Sequence, residues 1–297
     1  MKTGTKPGKD RENVSFPEVF QVEVTTRCNL NCTFCKARPD DVKQRGDLDY
    51  KTFEKVIDQL AGKIHRVNLW GAGEPMLHPE FFTMAKKAAG LGVRRIKVST
   101  NGHFLSDENI KRILSSGITQ IRIALDTSSP GEYARGRRGG DFHRVIKGIE
   151  KLCSAKAKTG VPLRVVVCSV TVDPSLLEDN PVRKLASSLG ADAYEILHDI
   201  WDEQGIFTNV PPKERCIYPF KYFTLLAHGM VAPCCHVWHP DWILGNADEQ
   251  PVEEIWYGQR TQKLRSIFLE GKFKYCSICN YYGPIQLRKI EKDTKDL

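Results

Sequence analysis

The stretch Val19–Cys35, VFQVEVTTRCNLNCTFC, opens as a strand-like run over Val19–Thr25 and passes directly into a loop with three cysteines, Cys28, Cys32 and Cys35. Five further runs of the same kind follow, at Arg66–Trp70, Arg94–Ser99, Gln120–Leu125, Leu163–Thr171 and Ala193–Leu197. Each but the last precedes a helical pattern, and short strands alternating with longer amphipathic segments predict repeated βα units around a parallel sheet. Asp49 stands before the Phe53, Val56, Ile57, Leu60 stripe as a helix start, and Gly90, Gly117 and Gly190 fall where helices should stop. Right-handed crossovers bring the C-terminal ends of such strands to one rim, where α/β barrels hold their chemistry. The expected fold is α/β, a partial parallel (β/α)6 barrel over residues 16–199 behind a charged tail at 1–15.

A chain of 297 residues with 41% hydrophobic content suits one large domain with a smaller appendage. No run approaches the roughly 18 apolar residues of a membrane span. The opening MKTGTKPGKDRENVSF has charge but no apolar stretch for export, so a cytoplasmic protein without a membrane partner is expected. In a long chain of this kind, ten cysteines point to free thiols, metal ligands or catalytic groups instead of a disulfide framework. The net charge of +8 is spread over Lys2, Lys6, Lys9 and Arg11, a cluster at Arg135, Arg137 and Arg138, and the final residues, which reads as a solvated surface.

Three thiolates this close can grip one centre. Structural zinc wants a fourth protein ligand, for which a distant residue such as His65 is available, whereas a cubane iron-sulfur cluster on three cysteines leaves one iron open. The CxxxCxxC spacing with Phe34 before the last cysteine resembles the signature of the radical S-adenosylmethionine (radical SAM) superfamily. Further segments agree. Trp70-Gly71-Ala72-Gly73-Glu74-Pro75 is similar to the family's GGEP motif with Ala72 in place of the second glycine, and the resemblance implies that it binds the methionine amino group. Glycines let backbone approach a ligand, and Glu74 offers an acceptor to an ammonium.

Ser99-Thr100-Asn101-Gly102 resembles the family's STNG, which implies contacts of Ser99 and Asn101 with ribose hydroxyls. Ala124-Leu125-Asp126-Thr127 is similar to its SLDG-type ending, with Ala124 in place of serine, and adds Asp126 to the cofactor site. Arg138-Gly139-Gly140-Asp141-Phe142 resembles RGxxF, implying a pairing of Arg138 with the S-adenosylmethionine carboxylate. The resemblance spans Val19–Leu197. It implies a 4Fe-4S cluster on Cys28, Cys32 and Cys35, bound S-adenosylmethionine, and an external one-electron reductant such as flavodoxin or ferredoxin.

After Asp199 the periodicity fades into a linker at 200–215, and 216–283 carries Cys216, Cys234, Cys235, Cys276 and Cys279 ahead of a charged tail at 284–297. So small a cysteine-rich module needs a metal centre to hold it together. Gly229 stands five residues before Cys234 with twelve residues between it and Cys216, which resembles the opening of SPASM and twitch modules; Cys276 and Cys279 resemble their closing pair. The resemblance implies one auxiliary 4Fe-4S cluster on Cys216, Cys234, Cys276 and Cys279. Cys235 competes with Cys234, which keeps the glycine spacing, and structural zinc is the alternative occupant. Full ligation implies electron transfer.

Cys153 and Cys168 read as core thiols. Glu195 and His198, at the end of the sixth strand, are candidate bases for deprotonating a substrate or its radical. The leading reading is an oxidoreductase acting on a small molecule, most like dehydrogenases that convert an aminocyclitol carbinol to a ketone. One rival is a peptide-modifying enzyme. Another is a zinc-stapled RNA-binding protein, against which stands the lack of aromatics interleaved with the arginines, so nucleic acid is not an expected partner.

Overall fold

The computed structural model describes residues 14–35, 46–171, 180–198, 216–235 and 240–273. The linker 200–215, both tails, Cys276 and Cys279 lie outside the described residues. In chain order the strands are β1 (Val19–Val22), β2 (Asn31–Cys32), β3 (Arg66–Leu69), β4 (Arg95–Thr100), β5 (Gln120–Ala124), β6 (Arg137–Arg138), β7 (Arg164–Thr171), β8 (Ala193–His198), β9 (Tyr222–Leu225), β10 (Met230–Ala232) and β11 (Gly245–Asn246). The helices are α1 (Tyr50–Leu60), α2 (Phe81–Gly90), α3 (Asp107–Leu114), α4 (Pro130–Gly136), α5 (Phe142–Thr159), α6 (Pro181–Ser188), α7 (Tyr218–Lys221), α8 (Val252–Tyr257) and α9 (Gln259–Leu269).

All six strands expected from the sequence form, and they pair in parallel in the order β1-β3-β4-β5-β7-β8. Local chemistry explains the helices between them. Asp49 caps α1 by accepting from the Lys51 and Thr52 amides at 2.7 and 3.4 Å, and Ser106 caps α3 from Asn109. The α5 helix closes on Gly160 at φ +66, a left-handed position that glycine adopts without strain.

Neighbouring residues in register point to the same side of a parallel sheet, and alternate residues along a strand point to opposite sides. One face carries Phe20, Val22, Val67, Leu69, Ile96, Val98, Ile121, Ile123, Val165 and Val167, which join Phe53 and Ile57 of α1, Met84 of α2, Ile113 of α3 and Ile149 of α5 in the main core. The helices therefore cover that face. The opposite face is polar: Thr224, Gln21, Asn68, Lys97 and Gln120 stand in one register row. Above that row, Ser99 lies opposite Arg122.

The described part of the C-terminal module joins the same sheet. Its strand β9 pairs in parallel with β1 on the edge away from β3, and β10 and β11 add antiparallel strands to give a sheet of nine. Gly229 turns the β9–β10 hairpin at φ +77. A small polar ribbon, β2 against β6, sits apart from the main sheet.

Candidate active site

The C-terminal ends of β1, β3, β4 and β5 converge, as crossover handedness requires, and the cysteine loop after β1 is clamped from several directions. Thr25 Oγ1 donates to Asp47 Oδ1 at 2.6 Å, and Arg27 donates to the same carboxylate through Nε at 2.9 Å. Arg27 Nη2 also reaches the Leu77 carbonyl at 2.9 Å, while its own carbonyl accepts from the Glu74 amide at 2.8 Å. Further along, Asn31 and Cys32 pair with Arg138 and Arg137 in the β2–β6 ribbon.

Gly73 explains the glycine-rich segment after β3. A Cβ at Gly73 would lie 2.4 Å from the Arg27 carbonyl oxygen and 2.5 Å from that of Thr25. The cysteine loop thus packs its backbone directly on this glycine, and backbone oxygens cannot swing aside. Gly73→Ala is expected to displace the loop and cost about 1–3 kcal/mol of stability, read as a fall in the thermal unfolding midpoint. Gly71 is tight for another reason, since a Cβ there would lie 2.4 Å from Cγ of Glu23. Pro75 starts a single turn of 3-10 helix and is buried.

Glu74 is almost wholly buried. Thr100 Oγ1 donates to its Oε1 at 2.8 Å, the Asn101 amide to Oε2 at 2.7 Å, and the Met76 amide to Oε1 at 3.2 Å. Burial pushes its pKa up to about 7, against the pull of these three donors. Sequence reading places this carboxylate in the cofactor site, and here its three donors tie the end of β4 to the loop after β3.

Asn101 continues that chain. Its Nδ2 donates to Asn29 Oδ1 at 2.8 Å and lies 3.9 Å from Cys28 Sγ. His103 holds it: Nε2 accepts from the Asp141 amide at 2.8 Å, which leaves Nδ1 to donate to Asn101 Oδ1 at 3.1 Å. Ser99 is half-buried on the helix-free face. Asp126 splits its carboxylate between the Val170 amide at 2.9 Å and Arg137 Nε at 2.7 Å.

Arg137 is the residue that sequence reading missed. It is buried, pairs with Asp126, stands opposite Cys32 in the ribbon and lies 5.3 Å from the Phe34 ring centroid. Burial alone would favour its neutral form, but the Asp126 charge and hydrogen bond hold it protonated. Arg138, the expected carboxylate partner, is exposed, with its backbone paired to Asn31. The reason is strand parity: of two consecutive residues in the ribbon, one side chain points in and the other out. The tandem Arg137-Arg138 was the available signal.

Among the described residues no three of His, Cys, Asp and Glu already stand at metal-holding spacing. Burial pushes Cys32 up to about 11, opposed by the nearby Arg137 charge. Cys28 is raised as well, mainly by burial. Soft thiols, half-exposed at Cys28 and Cys35 and flanked by a guanidinium, suit an iron-sulfur cluster.

At the other end of β1, Val19 packs with Tyr218 and Tyr222, against which Cys216, Cys234 and Cys235 lie. Cys235 Sγ contacts the Tyr218 hydroxyl at 3.2 Å. A four-residue strand spans roughly 13 Å, so the two cysteine sets flank the helix-free face from opposite ends. On that face Glu195 Oε2 accepts from Arg122 Nη2 at 2.6 Å, an ion pair that sequence reading did not foresee. The backbone of β8 reaches His198, whose side chain lies outside the described residues. Cys153 and Cys168 are buried core thiols.

Comparison with known proteins fits this geometry. Residues 22–175 match the Radical SAM superfamily, more than half of the chain. The chain belongs to the radical SAM superfamily. Residues 216–280 match SPASM, an iron-sulfur cluster-binding domain. The chain is thus an iron-sulfur enzyme that uses S-adenosylmethionine. The AdoMet-dependent heme synthase of Methanosarcina barkeri is 28% identical and covers 89% of each chain. The tungsten-containing aldehyde ferredoxin oxidoreductase cofactor-modifying protein of Pyrococcus furiosus is 23% identical, covering 87% of this radical SAM chain and 86% of its own.

Among solved structures, BtrN in complex with AdoMet and 2-DOIA superimposes with TM-score 0.58 at 19% identity, covering 90% of this chain and 93% of BtrN. Streptococcus suis SuiB bound to S-adenosylmethionine gives TM-score 0.68 at 13% identity over 85% of this chain and 68% of SuiB. Such low identities speak to the fold alone, a radical SAM barrel with an α/β sheet. Among the described residues no helix is long and apolar enough to cross a membrane.

Proposed function

We propose that the chain is an oxidoreductase that removes a hydrogen atom from an alcohol carbon of a small polar substrate, such as an aminocyclitol or sugar, and completes a two-electron oxidation to the ketone. In that oxidation the carbon would give up a hydrogen atom, the hydroxyl would give its proton to a base of this chain, and one electron would leave toward the C-terminal cysteines. Cys28, Cys32 and Cys35 would hold a 4Fe-4S cluster that, with S-adenosylmethionine and a one-electron donor of the flavodoxin or ferredoxin kind, would supply the radical chemistry that takes up this hydrogen atom. Cys216, Cys234, Cys276 and Cys279 are the proposed ligands of the second cluster, and 16–199 and 216–283 the proposed domains of a cytoplasmic protein. The observation that carries this reading is that the loop of Cys28, Cys32 and Cys35 follows one end of β1 while Cys216, Cys234 and Cys235 pack at the other, with a polar sheet face between them.

The other residues hold and orient. Arg137 and the β2–β6 ribbon fix Cys32, while Glu74, Asn101 and His103 fix the loops that would embrace the methionine and ribose parts of the cofactor. Such pre-set geometry keeps a target carbon within reach of the radical and excludes water. Glu195 is the proposed base, with His198 as the competing one. The near full-length similarity to two cofactor-building proteins favours a second reading, a cofactor precursor as substrate. The peptide-modifying reading has only fold likeness behind it.

The test uses the reconstituted full chain with carbinol-deuterated cyclitols and sugars, tetrapyrroles and peptides in turn. Deuterium carried into 5′-deoxyadenosine by a cyclitol or sugar, with ketone formed, supports the proposal; transfer from a tetrapyrrole or peptide alone contradicts it. Cys216→Ala is expected to keep deoxyadenosine formation and lose ketone formation. Unchanged ketone yield in that variant would remove the electron-acceptor role.

A further inference from the structure

We propose that the helix-free face of the sheet recognises a small, oxygen-rich molecule carrying an anionic group, with Arg66, Asn68 and Thr224 as its polar contacts. The inference rests on the reading above in one respect, that the substrate lies between the two cysteine sets. Its own basis is a set of buried polar atoms without partners among the described residues. Parallel sheets covered on both sides are usually apolar on both faces, and barrel interiors are filled with branched aliphatics. Here one face alternates into polar residues on every strand from β9 to β5.

Most of these polar groups are satisfied by protein. Gln21 Nε2 donates to the Trp70 carbonyl at 2.5 Å, and its Oε1 accepts from Asn68 Nδ2 at 3.0 Å. Arg122 is neutralised by Glu195. Asn68 and Thr224, on either side of Gln21 in the register row, differ. They are only 4% and 2% exposed, yet Asn68 Oδ1 and Thr224 Oγ1 have no hydrogen-bond partner among the described residues. An unpaired buried polar atom is costly, so its retention calls for an explanation outside the packing of the free chain.

One layer below, Arg66 Nη2 donates to the Tyr222 hydroxyl at 2.6 Å and the guanidinium lies 5.5 Å from that ring's centroid. Its Nε is buried without an acceptor among the described residues. Arg66 and Arg95 are register partners on adjacent strands, and neither forms an ion pair with a carboxylate among the described residues. Two neighbouring cations with no carboxylate paired to them among the described residues attract a carboxylate or phosphate, and a guanidinium whose Nε–H has no acceptor there grips either through charge-assisted hydrogen bonds. Asn68 Oδ1 then accepts from a ligand hydroxyl or amine, and the Thr224 hydroxyl either donates or accepts. An extended apolar segment would leave all three unsatisfied.

The experiment uses the reconstituted full chain with three probes: gluconate, inositol 1-phosphate and neutral inositol. Calorimetry is expected to show one of the charged probes binding about tenfold or more tighter than inositol, gluconate marking a carboxylate site and inositol 1-phosphate a phosphate site. Arg66→Met is expected to erase that preference. Thr224→Val, which removes only an unpartnered hydroxyl, is expected to weaken the favoured probe while leaving the thermal unfolding midpoint unchanged or higher. Equal affinity for all three probes, or none, overturns the proposal, as does a markedly lower midpoint for Thr224→Val, which would show the hydroxyl already engaged in holding the fold. 5′-deoxyadenosine formation is measured on the same preparation. Its presence without charge preference overturns this subsite alone, and charge preference without it overturns the radical reading and supports the subsite.

Discussion

Cys32→Ala is expected to abolish 5′-deoxyadenosine formation and to lower the iron content of the anaerobically reconstituted protein from about eight atoms to about four. Cys32 is the loop thiol held most firmly by the fold. It is buried, its backbone pairs with Arg137, and the Arg137 charge opposes the effect of burial on its ionisation. With one of three thiolates removed, the remaining two cannot retain a cubane that already leaves an iron without a protein ligand. Cys153→Ala is the control, because that thiol lies in the core away from the loop, and it should leave iron and deoxyadenosine unaffected. An unchanged iron count in Cys32→Ala would remove the loop from cluster binding altogether.

Arg137→Ala is the second large effect, expected to destabilise the fold by about 3–5 kcal/mol. The Asp126–Arg137 pair is well buried, with side-chain exposures of 18% and 7%. Truncating the arginine strands the Asp126 carboxylate, whose other oxygen accepts from the Val170 amide. It also removes the cation beside Cys32 and the guanidinium over Phe34. Chemical denaturation should show the loss, and the double variant Asp126→Asn with Arg137→Ala should recover part of it, since no unpaired charge then remains. If Arg137→Ala unfolds at the wild-type denaturant concentration, the pair has no role in holding the ribbon. Arg138→Ala, at an exposed position, should alter stability by less than about 0.5 kcal/mol.

The six-strand frame was legible because each strand run ends where a helical stripe begins, and Asp49 marked its helix through a side chain with a specific donor to meet. The cysteine loop and the glycine segment after β3 were legible for the same reason, a fixed spacing tied to a fixed chemical need. What lay beyond the sequence was mostly a matter of parity and burial. Nothing in Arg137-Arg138 tells which guanidinium turns inward until β2 pairs with β6. Glu74 reads as an available acceptor until the fold surrounds it with Thr100, Asn101 and Met76. The strand β9, Tyr222–Leu225, is only four residues long, too short for periodicity to reveal that it extends the barrel sheet beside β1.

The polar face was in principle visible. In Arg95–Thr100, RIKVST, every second residue is polar although a parallel strand packed on both sides should be apolar throughout. The same alternation in Arg66-Val67-Asn68-Leu69 and Gln120-Ile121-Arg122-Ile123 marks strands with one polar face. Only register shows that these residues stand side by side, with two orphaned atoms among them.

The most direct test of the account is to reconstitute the full chain anaerobically, count iron and acid-labile sulfide, and incubate it with dithionite and S-adenosylmethionine. About eight irons, a matching sulfide count and dithionite-dependent 5′-deoxyadenosine are predicted. Zinc in place of iron, with no deoxyadenosine, would contradict the account at its centre.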